Sequence, residues 1–182
     1  MPVRSDHELI EAILQGDSAI FEEIVRRYES SLYYFLLRRH SPEDANDLLQ
    51  ETFLEAWKSL KNYNLQWKFS TWLFAISYHT SAGFFRKKKR DVMVRAHRDG
   101  KILDQVAVQE EGYFVELSET KDIMENVWET AHEVLPESQV MALWLFYVEE
   151  KSIREISHIM QRSEVGVKIL LFRGRKKLRR YF

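Results

Sequence analysis

Apolar residues recur three or four positions apart through nearly the whole chain, and this spacing constrains the fold more than any other feature. A run such as Phe21, Ile24, Val25 and Tyr28 places its side chains on one face of a helix. Strand-like alternation is scarce, and the 182 residues include only 6 glycines and 3 prolines. We therefore predict an all-α fold.

Capping signals divide this pattern into separate helices. Ser5 with Glu8, and Ser152 with Glu155, have the spacing of a capping box, in which two residues satisfy the free amides at a helix start. Further helix starts are expected at Asp17, Ser41 with Pro42, Ser70 or Thr71, Pro136 and Ser163.

Charge is divided into opposed blocks, although the net charge is only −1. Residues 99–133 hold ten acidic residues and two lysines, a net charge of −8, whereas residues 163–182 hold seven basic residues and one acid, a net charge of +6. Helical periodicity also weakens after residue 91. We predict two small helical domains, residues 1–92 and 122–182, joined by an acidic linker, residues 93–121. The basic blocks favour a polyanionic partner.

Several classes of protein are disfavoured by what the sequence lacks. Cysteine is absent, which excludes disulfides and thiolate metal ligands and fits a reducing compartment such as the cytoplasm. The six histidines are scattered, and there is no glycine-rich phosphate loop, so we expect no metal, no cofactor and no enzymatic activity. No stretch approaches the roughly 20 apolar residues that span a bilayer, so we expect no membrane insertion.

The C-terminal residues have the spacing of a helix-turn-helix. A short helix, SIREISHIM, is followed by a tight turn and a longer basic helix, EVGVKILLFRGRKKLRR. In that motif the second helix enters the major groove of DNA. We expect Val165, Ile169 and Phe172 to face the core. The expected DNA contacts are Arg154, Ser163, Lys168, Arg173, Arg175, Lys176 and Lys177. An antiparallel helix pair with a cationic end would have the same spacing.

A second basic segment, KFSTWLFAISYHTSAGFFRKKKR, places seven aromatic rings, counting His79, ahead of five consecutive cations. Rings on a positive surface can stack on unpaired bases while the cations hold phosphates. A core helix that ends in a solvated tail is the alternative explanation.

Both segments resemble parts of one family, in the order that the family has them. LPESQVMALWLFYVEEKSIREISHIM, with the basic helix that follows it, resembles region 4 of bacterial sigma factors. DANDLLQETFLEAWKSL, with the aromatic segment after it, resembles region 2. Two such regions joined only by a linker are similar to the extracytoplasmic-function (ECF) group of the sigma-70 family.

The resemblance implies a cytoplasmic initiation factor that binds core RNA polymerase and promoter DNA, with an anti-sigma factor as a further partner. The polymerase would dock on an acidic face of the helix, at Asp44, Asp47, Gln50 and Glu51. Region 4 would read the −35 element. Region 2 would recognise and melt the −10 element, with contacts from Tyr63, Trp67, Lys68, Phe69, Tyr78, His79, Arg86, Lys87, Lys88, Lys89 and Arg90.

Some positions depart from the family pattern. His79 and Gly83 stand where the family commonly has Asn and Asp, and Ile169 and Leu170 stand where it often has Ser and Arg. The missing Arg removes a bidentate contact to guanine, which contributes about 1–3 kcal/mol of discrimination. A sigma-derived regulator or interaction protein, which binds DNA or polymerase without acting as a full initiation factor, is therefore the alternative.

Overall fold

A computed structural model describes residues 4–98 and 122–182, with the backbone alone for residues 85–98 and 122–125. These ranges contain eight α-helices and no strand, which confirms the predicted all-α fold. The helices are α1 (Asp6–Leu14), α2 (Phe21–Leu36), α3 (Pro42–Ser59), α4 (Phe69–Arg98), α5 (Asp122–Val134), α6 (Glu137–Tyr147), α7 (Ile153–Met160) and α8 (Glu164–Leu178). Within the same ranges, no helix is both long enough and apolar enough to cross a membrane.

The N-terminal half packs α1, α2, α3 and α4 around a shared apolar core. Leu9, Ile24 and Leu32 are fully buried there, because each lies on the apolar stripe of its own helix. The rings of Phe35 and Phe74 meet edge to face, with centroids 5.1 Å apart, and tie α2 to α4. This core fixes α3 and the start of α4, the two elements on which polymerase and DNA contacts are predicted.

Most of the predicted helix starts are confirmed. Both capping boxes form, at Ser5 with Glu8 and at Ser152 with Glu155. The Ser41 hydroxyl accepts a hydrogen bond from the amide of Asp44, and Pro42 is the first helical residue. The remaining confirmed cap, at the start of α8, is formed by Ser163.

Three predicted helix starts are wrong in detail. Asp17 makes no side-chain cap, because the chain first passes through a 3₁₀ turn at Ser18–Ile20. Helix α4 already begins at Phe69, so Ser70 and Thr71 lie inside its first turn and bond the other half of the molecule instead. Pro136 precedes α6 as its N-cap.

The C-terminal half is organised around α6, whose residues 140–145 are all buried. Helices α5, α7 and α8 pack around it. Gly174 allows α8 to approach closely, since a Cβ atom there would lie 2.9 Å from Cδ1 of Leu143. The turn between α7 and α8 is tight because Gln161 adopts the left-handed conformation, with φ 49° and ψ 48°. These features give the predicted helix-turn-helix geometry.

The segment between the halves lies mostly outside the described residues. Helix α4 continues to Arg98, beyond residue 92, where the sequence places the start of the linker. The rest of the predicted acidic linker, residues 99–121, is not described. The two halves nevertheless contact one another, chiefly where α4 packs on α7.

Candidate polymerase and nucleic-acid interfaces

The predicted polymerase-binding residues lie together on α3. Asp47, Gln50 and Glu51 are exposed, and Asp44 is half-buried in the first turn. Spacings of three and four residues keep the exposed three on one side of the helix. In the part of the chain that the structure describes, neither Asp47 nor Glu51 forms an ion pair, so both carboxylates are available to a basic surface.

Leu54 extends this acidic surface and was missed by the sequence analysis. Its side chain is 51% exposed, one turn beyond Gln50 and Glu51. The signal was its position seven residues after Asp47, which places an apolar side chain on a polar helix face. An exposed leucine flanked by carboxylates resembles the apolar centre of a protein–protein interface.

The loop before α4 is held in shape by Tyr63. Its hydroxyl donates a hydrogen bond of 2.6 Å to the carbonyl oxygen of Trp67. Its ring packs against Trp72, with centroids 5.2 Å apart, and it is half-buried. Lys68, at the end of the loop, is exposed. Tyr63 therefore holds the loop in position, in addition to being one of its predicted DNA contacts.

The expectation that Phe69 is exposed is wrong, since only 2% of it is accessible. Its ring packs edge to face against Tyr28, at 5.7 Å between centroids, and against Tyr63, at 5.5 Å. Phe69 shares the buried face of α4 with Leu73, four residues later. It supports the loop from beneath and cannot stack on a base in this arrangement.

Tyr78 and His79 are half-buried one turn further along α4. The guanidinium carbon of Arg39 lies 5.5 Å from the centre of the Tyr78 ring. His79 lines a cleft of about 440 Å³, together with Trp72 and, from the C-terminal half, His158. Gly83 has open space where a side chain would stand, so packing does not require glycine there.

The basic run Arg86, Lys87, Lys88, Lys89 and Arg90 is helical in its backbone, as part of α4. The side chains of these five residues lie outside the described part of the structure.

The predicted DNA contacts of the C-terminal half are all exposed: Arg154, Ser163, Lys168, Arg173, Arg175, Lys176 and Lys177. Ser163 and Arg175 also form hydrogen bonds within the C-terminal half. The Ser163 hydroxyl accepts a hydrogen bond of 3.1 Å from the amide of Gly166, and Arg175 Nε donates one of 3.1 Å to the carbonyl oxygen of Leu171. The remaining cations project from α7 and α8 and form a positive surface.

The orientation predicted for α8 is wrong. The sequence pattern places Val165, Ile169 and Phe172 in the core, yet they are 64%, 43% and 61% exposed. Val167 and Leu171 are buried in their place. Both faces of α8 carry apolar residues, and the close approach at Gly174 determines which face packs on α6.

The two halves meet at residues for which the sequence predicts DNA contacts. The Trp67 ring stacks on His158, with centroids 4.3 Å apart and planes 15° apart. The guanidinium carbon of Arg154 lies 5.3 Å from the centre of the same Trp67 ring. One tryptophan of the predicted −10 loop is therefore covered by the first helix of the helix-turn-helix.

Hydrogen bonds surround this stack. Thr71 Oγ1 donates to Glu155 Oε1 at 2.7 Å, and Lys151 Nζ donates to Ser70 Oγ at 2.8 Å. Burial raises the pKa of Glu155, but the hydrogen bonds from Ser152 and Thr71 outweigh it, so this pKa lies below its ordinary value. Burial lowers the pKa of Lys151.

A second set of contacts joins α2 and the residues just after it to α6 and the residues just after it. Ser31 Oγ donates a hydrogen bond of 2.8 Å to Glu149 Oε2, and the Arg38 guanidinium carbon lies 4.6 Å from the centre of the Trp144 ring. Burial raises the pKa of Glu149. The two halves are therefore joined by hydrogen bonds and by the Arg39–Glu137 ion pair, in addition to a buried apolar cluster that extends through both.

Comparison with known proteins gives matches to both halves of the chain. The family model for sigma-70 region 2 matches residues 24–91, and the model for sigma-70 region 4 matches residues 126–178. A solved structure of the sigma factor RpoE in complex with the anti-sigma factor NepR, from Bartonella quintana, has a TM-score of 0.67 at 22% identity. The match covers 88% of this chain and 94% of that one, and it shows a shared fold.

Two curated relatives extend over nearly the full length. The ECF RNA polymerase sigma factor SigM of Bacillus subtilis (strain 168) is 33% identical over 159 residues, which cover 87% of this chain and 92% of that protein. The ECF RNA polymerase sigma factor SigW of the same organism is 29% identical over 181 residues, which cover 94% and 93%. The chain belongs to the ECF group of the sigma-70 family of RNA polymerase sigma factors, which direct transcription initiation.

Proposed function

We propose that this sigma factor binds core RNA polymerase through the exposed face of α3 formed by Asp47, Gln50, Glu51 and Leu54. The observation that carries the proposal is the pair of unpaired carboxylates beside an exposed leucine. Acidic groups favour a basic partner surface and speed its association, and burial of an exposed leucine at the interface adds a favourable hydrophobic contribution. Asp44, half-buried in the first turn of α3, lies at the edge of this surface.

The DNA contacts are divided between the two halves in this proposal. Residues 1–92 form the domain that melts the −10 element, with Trp67 and Lys68 in the loop and Tyr78, His79 and the run 86–90 along α4. Phe69 supports this surface from within the core. Residues 122–182 form the −35 domain, in which the exposed cations of α8 contact phosphates and the groove. Residues 93–121 connect the two.

The remaining properties follow from the same assignment. The chain has no catalytic role of its own, since the polymerase supplies the chemistry, and it acts in the cytoplasm, where polymerase and DNA are found. A further partner is an anti-sigma factor, as in the solved complex of the Bartonella protein.

The experiment that tests this function combines the purified chain with core polymerase and transcribes genomic fragments. We expect transcripts that start at defined sites, and no such transcripts from core polymerase alone. Binding to core polymerase without transcripts would favour a sigma-derived interaction protein instead. Absence of binding at low ionic strength would overturn the proposal.

The docking surface is tested by reversing its charge. The double variant Asp47→Lys and Glu51→Lys should weaken binding to core polymerase by about 100-fold, because two carboxylates lose their basic partners. Leu54→Ala should weaken binding by at least about fivefold. Titration of labelled chain with core polymerase measures both changes.

A matched control distinguishes the effect of altering the α3 surface from the effect of changing the net charge. Asp17→Lys with Glu29→Lys changes the net charge by the same amount at two exposed acidic residues outside α3. This control should bind core polymerase almost as tightly as the parent chain. Equal losses in both double variants would mean that the α3 face is not the docking surface.

A further inference from the structure

Helix α8 turns an apolar stripe away from the protein core. The stripe consists of Val165, Ile169 and Phe172, which are 64%, 43% and 61% exposed. At 100° per residue these positions fall within about 60° of one another on the helix surface. Val167 and Leu171, which are buried against the rest of the C-terminal half, lie on the opposite side.

The stripe does not serve folding, since the helix already buries its other face. Single exposed apolar residues are common on protein surfaces, but three aligned on one face of a helix mark an interaction surface. Lys168, Arg173 and Lys176 are exposed around the stripe. A partner that covers it must therefore accept positive charge at its edges, which favours a polyanion.

The chemistry of the stripe restricts what it can recognise on DNA. The major groove presents hydrogen-bonding groups on every base pair, and one apolar group, the C5-methyl of thymine. Valine, isoleucine and phenylalanine side chains cannot bond the polar edges, and covering those edges without partners is unfavourable. Contact with methyl groups carries no such cost.

We infer that Val165, Ile169 and Phe172 contact thymine methyl groups in the −35 element, and that this promoter element is rich in thymine. The inference rests on the proposed function, because it requires that α8 lie in the major groove. Lys168, Arg173 and Lys176 hold the flanking phosphates, and the stripe supplies base discrimination. This mode of reading replaces the guanine contact that is lost where Leu170 stands in place of arginine.

The test uses the complete chain bound to core polymerase. A promoter is first selected from a DNA library with a randomised −35 region, which should yield thymines at two or more positions. Each thymine is then replaced by deoxyuridine, which lacks only the methyl group. Each replacement should weaken promoter binding by about fourfold, because the burial of one methyl group is lost. Deoxyuridine outside the −35 element should have no effect.

A variant tests whether the apolar stripe is responsible for the loss of binding caused by deoxyuridine. In Ile169→Ala, the penalty for deoxyuridine should disappear at the thymine that Ile169 contacts and remain at the others. Leu14→Ala, at a leucine on α1 that is 51% exposed, should leave every penalty unchanged. Thermal unfolding of both variants should match the parent chain, since neither side chain is buried.

The outcomes separate this inference from the proposed function. Site-specific transcription with no deoxyuridine penalty would overturn the thymine reading and leave the sigma assignment standing. Unchanged DNA binding by Ile169→Ala, with loss of binding to an inhibitory protein, would also overturn it and assign the stripe to a protein partner. If the chain does not bind core polymerase, both the inference and the proposed function fail.

Discussion

At the scale of single residues, His132 ties stability to pH. It is half-buried on α5, and burial, with a smaller contribution from Arg38, lowers its pKa to about 4. A histidine in the unfolded chain has a pKa near 6.5. Between about pH 6.5 and pH 4 the unfolded chain therefore binds more protons than the folded one, and acid destabilises the fold.

We expect the free energy of unfolding to fall by about 2 kcal/mol on account of His132 when the pH drops from 7.5 to 5. Urea denaturation at the two pH values measures the change. His132→Gln should remove this part of the pH dependence. His7→Gln should retain it, because the side chain of His7 is 55% exposed. An unchanged pH dependence in His132→Gln would show that other groups are responsible.

Single residues also show what local sequence can predict. The caps at Ser5, Ser41, Ser152 and Ser163 were predictable because donor and acceptor lie within four residues of each other. The burial of Phe69 was not, because its environment is created by Tyr28, far away along the chain. From the sequence alone, the face of α4 that carries Phe69 could be either the buried or the exposed one.

At the scale of elements, α3 and α8 differ in how far their patterns determine their orientation. In α3 one face is apolar and the other is polar apart from Leu54, so the exposed acidic residues were predictable. In α8 apolar residues occupy both faces, and periodicity alone does not choose between them. The choice depends on α6, since Leu143 fits against the glycine at position 174.

Two valines on α8 test this orientation with the same substitution. Val167→Ala should lower the free energy of unfolding by about 2 kcal/mol, because it removes two buried methyl groups and leaves a cavity. Val165→Ala should change it by less than about 0.5 kcal/mol, since that side chain is largely exposed. Urea denaturation compares them. A larger loss from Val165→Ala would mean that α8 is rotated in solution.

At the scale of the whole molecule, the contact between the halves was not specified by the sequence pattern. Charge segregation and weak periodicity predicted two bodies and a connection. The contacts that join them, such as Thr71 with Glu155 and Trp67 with His158, are polar or aromatic pairs about 80 to 90 residues apart. Helical periodicity and capping signals involve residues close together in the sequence, so they do not predict such pairs.

This contact has a consequence for promoter binding. Trp67 and Arg154 are both assigned to DNA, yet each contacts the other in the arrangement described here. The −10 and −35 elements are separate sites on the promoter, so one chain reaches both only if its halves move apart. Separating the halves breaks hydrogen bonds, the Arg39–Glu137 ion pair and apolar contacts, and binding to polymerase and DNA must offset this cost.

Linking the halves covalently tests this requirement. The chain contains no cysteine, so the double variant Thr71→Cys and Glu155→Cys offers one defined site for a short, disulfide-containing bismaleimide. Promoter-specific transcription by the linked protein should be at least about tenfold lower, since Trp67 stays covered. A reductant, which cleaves the linker, should restore transcription. The control pair Glu22→Cys and Arg26→Cys lies on one exposed face of α2, and linking it should have no effect. Full transcription from the linked Thr71–Glu155 variant would show that this contact is compatible with promoter opening.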